Sequence, residues 1–341
     1  MTVVEICSPS SVAHAADFIR KGEVVGFPTE TVYGLGADAR NPRAVMKVFA
    51  AKGRPGDNPL IVHIADINAL RPLIACAPSD TALRLARAFW PGPLTMLFPR
   101  SELVPDCVTA GLNTVGIRMP SNPWARMLIE KSGCPIAAPS ANRSGRPSPT
   151  TARHVQEDMD GRIPLILDGG PCEVGLESTV LDVTGVVPRV LRPGGVTPEM
   201  IAAVAGAADV DESVMRPLNE GEKPRSPGMK YRHYAPNAPV TIFEGDPVAV
   251  AAEIKKRYDA TGSTALILAP AAHIGCYGDR RTLSLGANAA EAAKRLFDAL
   301  READDLGAQA IFAEAVDASG IGLAVMNRLG RAAGFHVEKV T

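Results

Sequence analysis

"AKGRPGDNPLIVHI" spans residues 51–64, and its reading decides what kind of chain this is. The run that leads into it, NPRAVMKVFAAKG, begins with an Asn cap and a Pro in the first turn and stops at Gly53, the grammar of a short helix. A turn of Pro, Gly, Asp and Asn follows. Then comes an apolar strand-like run, PLIVHI (59–64), which carries His63. Helix, tight turn and strand in direct succession describe helices layered on a sheet. Two cations, Lys52 and Arg54, sit at that junction. They read either as a solvated surface loop or as a grip on phosphate.

The same alphabet continues on both sides. VVGFPT (24–29), LTMLFP (94–99), VGIRMP (115–120), PIAAPS (135–140), PLILDGG (164–170), STVLDV (178–183) and RVLRPG (189–194) all read as short strands. SDTALRLARAFW (79–90) and TPEMIAAVAG (197–206) read as helices. Strands outnumber helices and the connections are irregular, so residues 1–205 are expected to form a mixed, twisted α+β sheet domain rather than a regular βαβ repeat.

Residues 206–239 change character. The first half is charged and poor in apolar residues, with Pro217, Pro224 and Pro227, and reads as a linker. The second half crowds Met229, Lys230, Tyr231, Arg232, His233 and Tyr234 together, which suits either a segment docked on a surface or one that reaches into a site. From 240 to 341 strand and helix alternate: VTIFEG, PVAVAAEIKKRY, TALILAP, the weak piece RTLSLG, NAAEAAKRLFDALREADDLG, AQAIFAEAV and GLAVMNRLGRAAG. In the longest helix Asn288 reads as the cap, and Ala292, Leu296, Ala299 and Ala303 fall at helical spacing. A small parallel, Rossmann-like α/β domain is expected there, without a G-x-G-x-x-G dinucleotide fingerprint.

The chain of 341 residues is 46% hydrophobic and 21% charged, enough to bury a core in each of two domains. Its net charge of −1 argues against a surface built for nucleic acid and fits a small anionic ligand better. The six cysteines include no CxxC pair, so zinc and dithiol chemistry lack a motif, and scattered thiols are expected to be buried in a reducing compartment. The N-terminus lacks the pattern of a signal peptide, and no apolar run approaches the roughly 18 residues of a membrane span, so the protein is expected in the cytoplasm, off the membrane.

Four constellations could carry chemistry. Lys52, Arg54, Arg118 and Arg192 lie in or beside strand ends and turns, and an Arg inside an apolar strand is costly unless a carboxylate or an anionic ligand pairs with it. APSANRSGRPSPTT (138–151) brings Ser140 and Asn142 out at a strand end, a neutral cradle for phosphate oxygens. In FPTETVYGLGADA (27–39), Thr29, Thr31 and Tyr33 alternate, so a strand would set three hydroxyls on one face. GLESTVLDV (175–183) places Glu177, Ser178 and Thr179 ahead of a strand. A lone His63 at a strand end is more often a satisfied core residue than a catalyst. No Walker A, G-x-S-x-G or HExxH sequence occurs, so catalysis would rest on positioning and charge neutralisation.

PTETVYGLG, KGRPGDNPLIVHI, FWPGPLT, VGIRMP, PSANRSGRPSPT, GLESTV, RPGG and SPGMKYRHYAP, in this order over residues 20–236, resemble the YrdC/TsaC family in its long, two-domain form, the threonylcarbamoyl-AMP synthases. The resemblance implies that L-threonine, bicarbonate or CO2, and ATP with Mg²⁺ give threonylcarbamoyl-adenylate and pyrophosphate. Other proteins would then complete the threonylcarbamoyl modification of adenosine 37 in tRNAs that read ANN codons. It implies catalytic roles for Lys52 and Arg54. ATP would be held by Arg54, Asn58, Thr114, Ser140, Asn142, Ser148 and Arg192, with Tyr231 of the linker closing over it. Threonine would be held by Thr31, Tyr33, His63, Arg118, the backbone at Ala138, and Ser178. No protein-held metal is implied. The alternative is an RNA-binding module without turnover, using the same cations on RNA phosphates. A carbamoyl-phosphate module of the kind joined to zinc fingers is disfavoured by the absence of CxxC.

Overall fold

The computed structural model describes residues 1–217 and 234–341. They divide into two units. The first holds Met1–Ser144 and Ser148–Val214; the second holds Gly145–Pro147, Met215–Pro217 and 234–341.

The first unit contains eleven strands among the described residues: β1 (Val3–Ile6), β2 (Val25–Phe27), β3 (Gly34–Asp38), β4 (Ile61–His63), β5 (Leu94–Pro99), β6 (Thr114–Arg118), β7 (Ile136–Ala138), β8 (Leu165–Asp168), β9 (Thr179–Asp182), β10 (Arg189–Arg192) and β11 (Asp209–Val210). They form one mixed sheet in the order β1-β8-β2-β3-β7-β4-β6-β5-β9-β10-β11. Its helices are α1 (Pro9–Arg20), α2 (Pro42–Lys52), α3 (Asp80–Phe89), α4 (Asp106–Thr109), α5 (Pro123–Ser132), α6 (Ala152–Met159) and α7 (Pro198–Ala205). Their starts follow the sequence closely. The Asn41 side chain accepts from the backbone of Arg43 and Ala44 at the head of α2, and Ser79, Asn122, Thr151 and Thr197 cap α3, α5, α6 and α7 in the same manner. α2 ends at Gly53, whose φ of +62° is the left-handed conformation that a glycine adopts without strain.

Strand alternation sets one face of the central strands into the core. Val62, Ile64, Met96, Ile117 and Ala137 pack in a cluster with Leu85 of α3 and Ile201 of α7. The alternate positions His63, Thr95 and Arg118 point the other way, and they are polar. A second cluster joins Phe27, Ile136, Ala138 and Leu167 to α1 and α5, and a third gathers Tyr33, Leu35, Ala37 and Ile166 with α2 and α6. The sheet thus leaves a polar row on strands that are otherwise buried.

The first unit runs past the expected boundary at 205. Asp209–Val210 pairs in parallel with β10, and Glu212–Val214 adds a short 3₁₀ turn, so the opening residues of the expected linker belong to the sheet. Of the remaining linker, Tyr231 and its neighbours Met229, Lys230, Arg232 and His233 lie outside the described residues. Nor is FPTETVYGL a strand carrying three hydroxyls on one face. β2 ends at Phe27, and residues 28–33 turn before β3. The Thr29 Oγ1 accepts from the backbone of Thr31 and Val32 and donates to the Val32 carbonyl, a local turn that competes with strand pairing. Among the cysteines, Cys134 and Cys172 are buried, whereas Cys76 and Cys276 are exposed.

The second unit is a five-stranded, all-parallel sheet: β12 (Val240–Gly245), β13 (Ala265–Ala269), β14 (Thr282–Ser284), β15 (Ala310–Glu314) and β16 (Val337–Val340), in the order β14-β13-β15-β12-β16. α8 (Pro247–Asp259), α9 (Ala289–Asp305) and α10 (Gly322–Ala332) connect the strands. Ala265–Ala269 is buried at every position, the continuous apolar run of a strand covered on both faces. Asn288 caps α9, and Ala292, Leu296, Ala299 and Ala303 are its buried stripe. Within this unit Arg301 donates through Nη2 to the Pro147 carbonyl at 2.6 Å. The Ala235 N–H likewise donates to the Gly145 carbonyl.

Candidate active site

The polar row is built by register. His63 on β4 lies directly across from Arg118 on β6, and Arg118 lies across from Thr95 on β5. Cross-strand neighbours share a face, so the three side chains stand side by side. On the far side of β4, His63 pairs with Ile136 of β7, and Ala138 pairs with Ile61. The row continues past β5, where Thr95 Oγ1 and Ser178 Oγ lie 2.8 Å apart. Ser178 in turn meets Arg192, whose Nε and Nη2 both donate to the Ser178 carbonyl, at 3.1 and 3.0 Å. The resemblance assigned Ser178 and Arg192 to different substrates; the fold sets them in direct contact.

Arg118 is 3% exposed. Its Nη1 donates to Thr31 Oγ1 at 2.8 Å, and its Nε donates to the Gly92 carbonyl at 3.3 Å. Its Nη2 lies 2.7 Å from Glu30 Oε1, in an ion pair buried on both sides. Burial, the largest single influence, would raise the Glu30 carboxyl, but the charge and hydrogen bond of Arg118 together with the backbone of Ser121 and Glu30 hold it below its ordinary value. Thr31 thus lies beside Arg118, another residue that the resemblance gives to threonine.

His63 is fully enclosed, and burial, with the Arg118 charge, drives its pKa down to about 3. Its Nδ1 faces the carbonyls of Ile61 at 3.1 Å and Ile136 at 3.3 Å. Two carbonyls can only accept, so the proton of the neutral ring sits on Nδ1 and Nε2 is left as an acceptor. Tyr33 is also fully buried, but its hydroxyl donates to the Gly170 carbonyl at 2.7 Å and accepts from the Gly169 N–H. Its backbone accepts from the Ala141 N–H and donates to Pro149, so Tyr33 braces both ends of the Ser/Asn loop.

That loop meets the cation turn at Lys52. Its Nζ donates to the Ser140 carbonyl, to the Asn142 carbonyl at 2.5 Å and to Asn142 Oδ1 at 3.2 Å. Ser140 Oγ donates to the same Oδ1 at 2.5 Å. The last residue of α2 is thereby tied to the residues just beyond β7. Arg54, one residue past the helix cap, donates through Nη2 to the Asn58 carbonyl at 2.9 Å and lies over the Phe49 ring. Asn58 is buried, and its Oδ1 accepts no hydrogen bond from a described residue. Ser148 Oγ donates to Glu177 Oε1 at 2.5 Å, both residues being buried. Thr114 opens β6 opposite Pro99, and no side-chain hydrogen bond joins it to the others. The buried side chains are cations, hydroxyls, amides and one neutral imidazole, with the carboxylates of Glu30 and Glu177 set against Arg118 and Ser148. Such a donor-rich set neutralises and orients phosphate and carboxylate oxygens.

Two residues of the site, Glu30 and Thr95, escaped the sequence reading as site residues, and Glu177 was named there without a role. Each lay in a quoted stretch, but nothing in a single Glu or Thr announces burial against an Arg or a Ser. The nearest signal was Arg118 itself, since an Arg in an apolar strand demands a counter-charge.

Residues 17–194 match the Sua5/YciO/YrdC family, described as telomere recombination, and residues 196–334 match the family described as threonylcarbamoyl-AMP synthase, C-terminal domain. The chain is 50% identical to the threonylcarbamoyl-AMP synthase of Bacillus subtilis over 329 residues, covering 96% of this chain and 94% of that one. It is 47% identical to that of Pyrococcus abyssi, covering 96% and 95%. The crystal structure of P. abyssi Sua5 complexed with L-threonine superposes with a TM-score of 0.93 at 46% identity, covering 100% of this chain and 99% of that one.

Proposed function

Because this chain belongs to the threonylcarbamoyl-AMP synthase family and is an enzyme of that kind, we propose that the polar row of the first unit and the Lys52 turn are its two half-sites, for L-threonine and for ATP. L-threonine, bicarbonate and ATP give threonylcarbamoyl-AMP, pyrophosphate and water. The observation that carries the assignment is the row itself: His63, Arg118 and Thr95 in register on three neighbouring strands, with Ser178 at its end. Arg118 takes the threonine carboxylate, the Thr31 hydroxyl steadies the guanidinium, and the His63 Nε2 accepts from a donor of the amino acid. The relative from P. abyssi was crystallised with L-threonine, which supports this half of the reading.

The ATP half-site is the cation turn with the Ser/Asn loop. Lys52 and Arg54 neutralise phosphate charge, and Ser140, Asn142, Ser148, Asn58, Thr114 and Arg192 position the nucleotide. In the proposed sequence the threonine nitrogen is first carboxylated to a carbamate, with enclosure protecting that labile species from water. A carbamate oxygen then attacks the α-phosphorus, forming the new P–O bond as the bond to pyrophosphate breaks. The charge that builds on the phosphates is met by cations already in place. Among the described residues no group of three or more His, Cys, Asp and Glu could hold a metal ion. The magnesium in this proposal is the one that ATP carries on its own phosphates.

We assign the product to the modification of adenosine 37 in tRNAs reading ANN codons, completed by separate transfer proteins in the cytoplasm. No described helix is long and apolar enough to cross a membrane. The threonine half-site is tested by steady-state kinetics of Arg118→Ala. Losing a charge-assisted bond raises the threonine KM roughly 10- to 150-fold while leaving the ATP KM within about twofold. An unchanged threonine KM would remove Arg118 from the assignment.

A further inference from the structure

Glu30 stands in the turn between Thr29 and Thr31 and is 4% exposed. Its Oε1 lies 2.7 Å from Arg118 Nη2. The backbone N–H groups of Ser121 and Glu30 lie near enough to favour the charged carboxylate, yet neither Glu30 oxygen, nor that Nη2, makes a well-directed hydrogen bond to a described residue. An ionised carboxylate offers about four acceptor positions, and buried acceptors are ordinarily filled. Here a buried anion and a buried cation lie side by side, each with capacity to bind something more. The pair adjoins His63, whose charge state responds to both.

A free amino acid at neutral pH carries one positive and one negative group on the same carbon. The geometry points to Glu30 as the residue that receives the α-ammonium of the substrate while Arg118 takes the α-carboxylate, so that the pair reads the amino acid as a zwitterion. This rests on the threonine half-site proposed above. It explains why the two charges are buried together. A zwitterion adds no net charge to the enclosed site, and it offers each buried ion a directed partner of opposite charge. A hydroxy acid of the same shape would add a lone anion next to Glu30, and an amine without a carboxylate would add a lone cation next to Arg118. Both are penalised in a site shielded from water. The Arg118 charge keeps Glu30 ionised, as this role requires.

Isothermal titration of the full-length protein separates this from a purely structural pair. L-threonine and its α-hydroxy counterpart, 2,3-dihydroxybutanoate, are titrated into the wild type and into Glu30→Gln, with ATP binding followed as the index of an intact fold. The expected result is that the wild type prefers threonine, and that Glu30→Gln weakens threonine roughly 10- to 100-fold while binding the hydroxy acid no more weakly than before. Equal weakening of both ligands, or unchanged threonine binding, overturns the inference; the first would leave Glu30 merely positioning Arg118. Should Glu30→Gln not fold, Glu30→Asp keeps the charge with a shorter reach and is put through the same pair, with a selective loss for threonine expected. A wild type that binds neither ligand would sink the underlying threonine assignment instead, leaving no ambiguity over which statement failed.

Discussion

Lys52 Nζ donates to the Asn142 carbonyl at 2.5 Å and to the Asn142 side-chain oxygen at 3.2 Å, joining the end of α2 to the loop that follows β7. One cation thus donates to two main-chain carbonyls and, with Ser140 Oγ, to the amide oxygen of Asn142, in a knot where Asn142 is fully enclosed and Lys52 nearly so. The ammonium is both a strut and a charge held where phosphate is proposed to lie. Lys52→Met keeps the volume and removes both. The expected outcome is loss of turnover by at least about a hundredfold, together with a lower unfolding midpoint, since carbonyls left without a donor cost roughly 1–3 kcal/mol. Lys52→Arg should recover part of the stability and little of the activity, because a planar fork does not fit a point-charge site. Thermal melts and pyrophosphate release on the same preparations check both parts.

His63 gives the site a signature in pH. Its folded pKa of about 3 lies below the ordinary value of 6.5, so between those values the unfolded chain binds the proton that the folded chain refuses. Stability carried by His63 is complete above pH 6.5 and is lost as the pH falls toward 3. In urea titrations between about pH 4 and 7, the wild type should lose stability on acidification more steeply than His63→Gln. Parallel slopes for the two proteins would contradict a buried, neutral imidazole.

The RPGG turn after β10 permits no side chain at Gly194. A Cβ there would lie 2.4 Å from the Thr179 nitrogen and 2.6 Å from the Glu177 carbonyl oxygen, both rigid backbone. Gly194→Ala must push the turn away from β9, and with it Arg192 from Ser178. The predicted cost is about 1–3 kcal/mol of stability. Activity should fall further than the fraction unfolded explains, as measured by comparing melting curves with initial rates at saturating ATP and threonine.

Much of this was legible in the chain. Asn41, Ser79 and Thr197 announced their helices, and the apolar runs located most strands, because capping and strand burial are local properties. Lys52, Arg54, Ser140 and Asn142 were marked by cations and small polar residues at strand ends, and the fold brings Lys52, Ser140 and Asn142 into one hydrogen-bonded knot. What the sequence withheld was pairing. Glu30 meets Arg118 from a turn far away along the chain, and Ser148 meets Glu177 from separate loops. Such partners are set by sheet order, which no periodicity encodes. The alternation of Thr29, Thr31 and Tyr33 misled because a Thr hydroxyl that bonds its own backbone makes a turn where period two suggests a strand.

The Ser148–Glu177 contact carries a further prediction. Ser148 is fully buried and donates to Glu177 Oε1, so the hydroxyl is oriented by the carboxylate. Ser148→Ala removes the hydroxyl and leaves the carboxylate without that donor. The ATP dissociation constant should rise about 5- to 20-fold, as expected for one hydrogen bond to a charged partner, with threonine binding unchanged within about twofold. Fluorescent-nucleotide displacement on Ser148→Ala provides the check, and an unaltered ATP affinity would place Ser148 in the framework alone.

The account is tested most directly by turnover of the purified chain. The protein is incubated with ATP, Mg²⁺, bicarbonate and L-threonine, and pyrophosphate release is followed while the adenylate is sought by mass spectrometry. Pyrophosphate that depends on threonine and bicarbonate, appears with threonylcarbamoyl-AMP, and is abolished in Lys52→Met is the predicted result. ATP binding without threonine-dependent pyrophosphate, or turnover that survives loss of Lys52, would contradict the reading of the strand-end row and the cation turn as one adenylate-forming site.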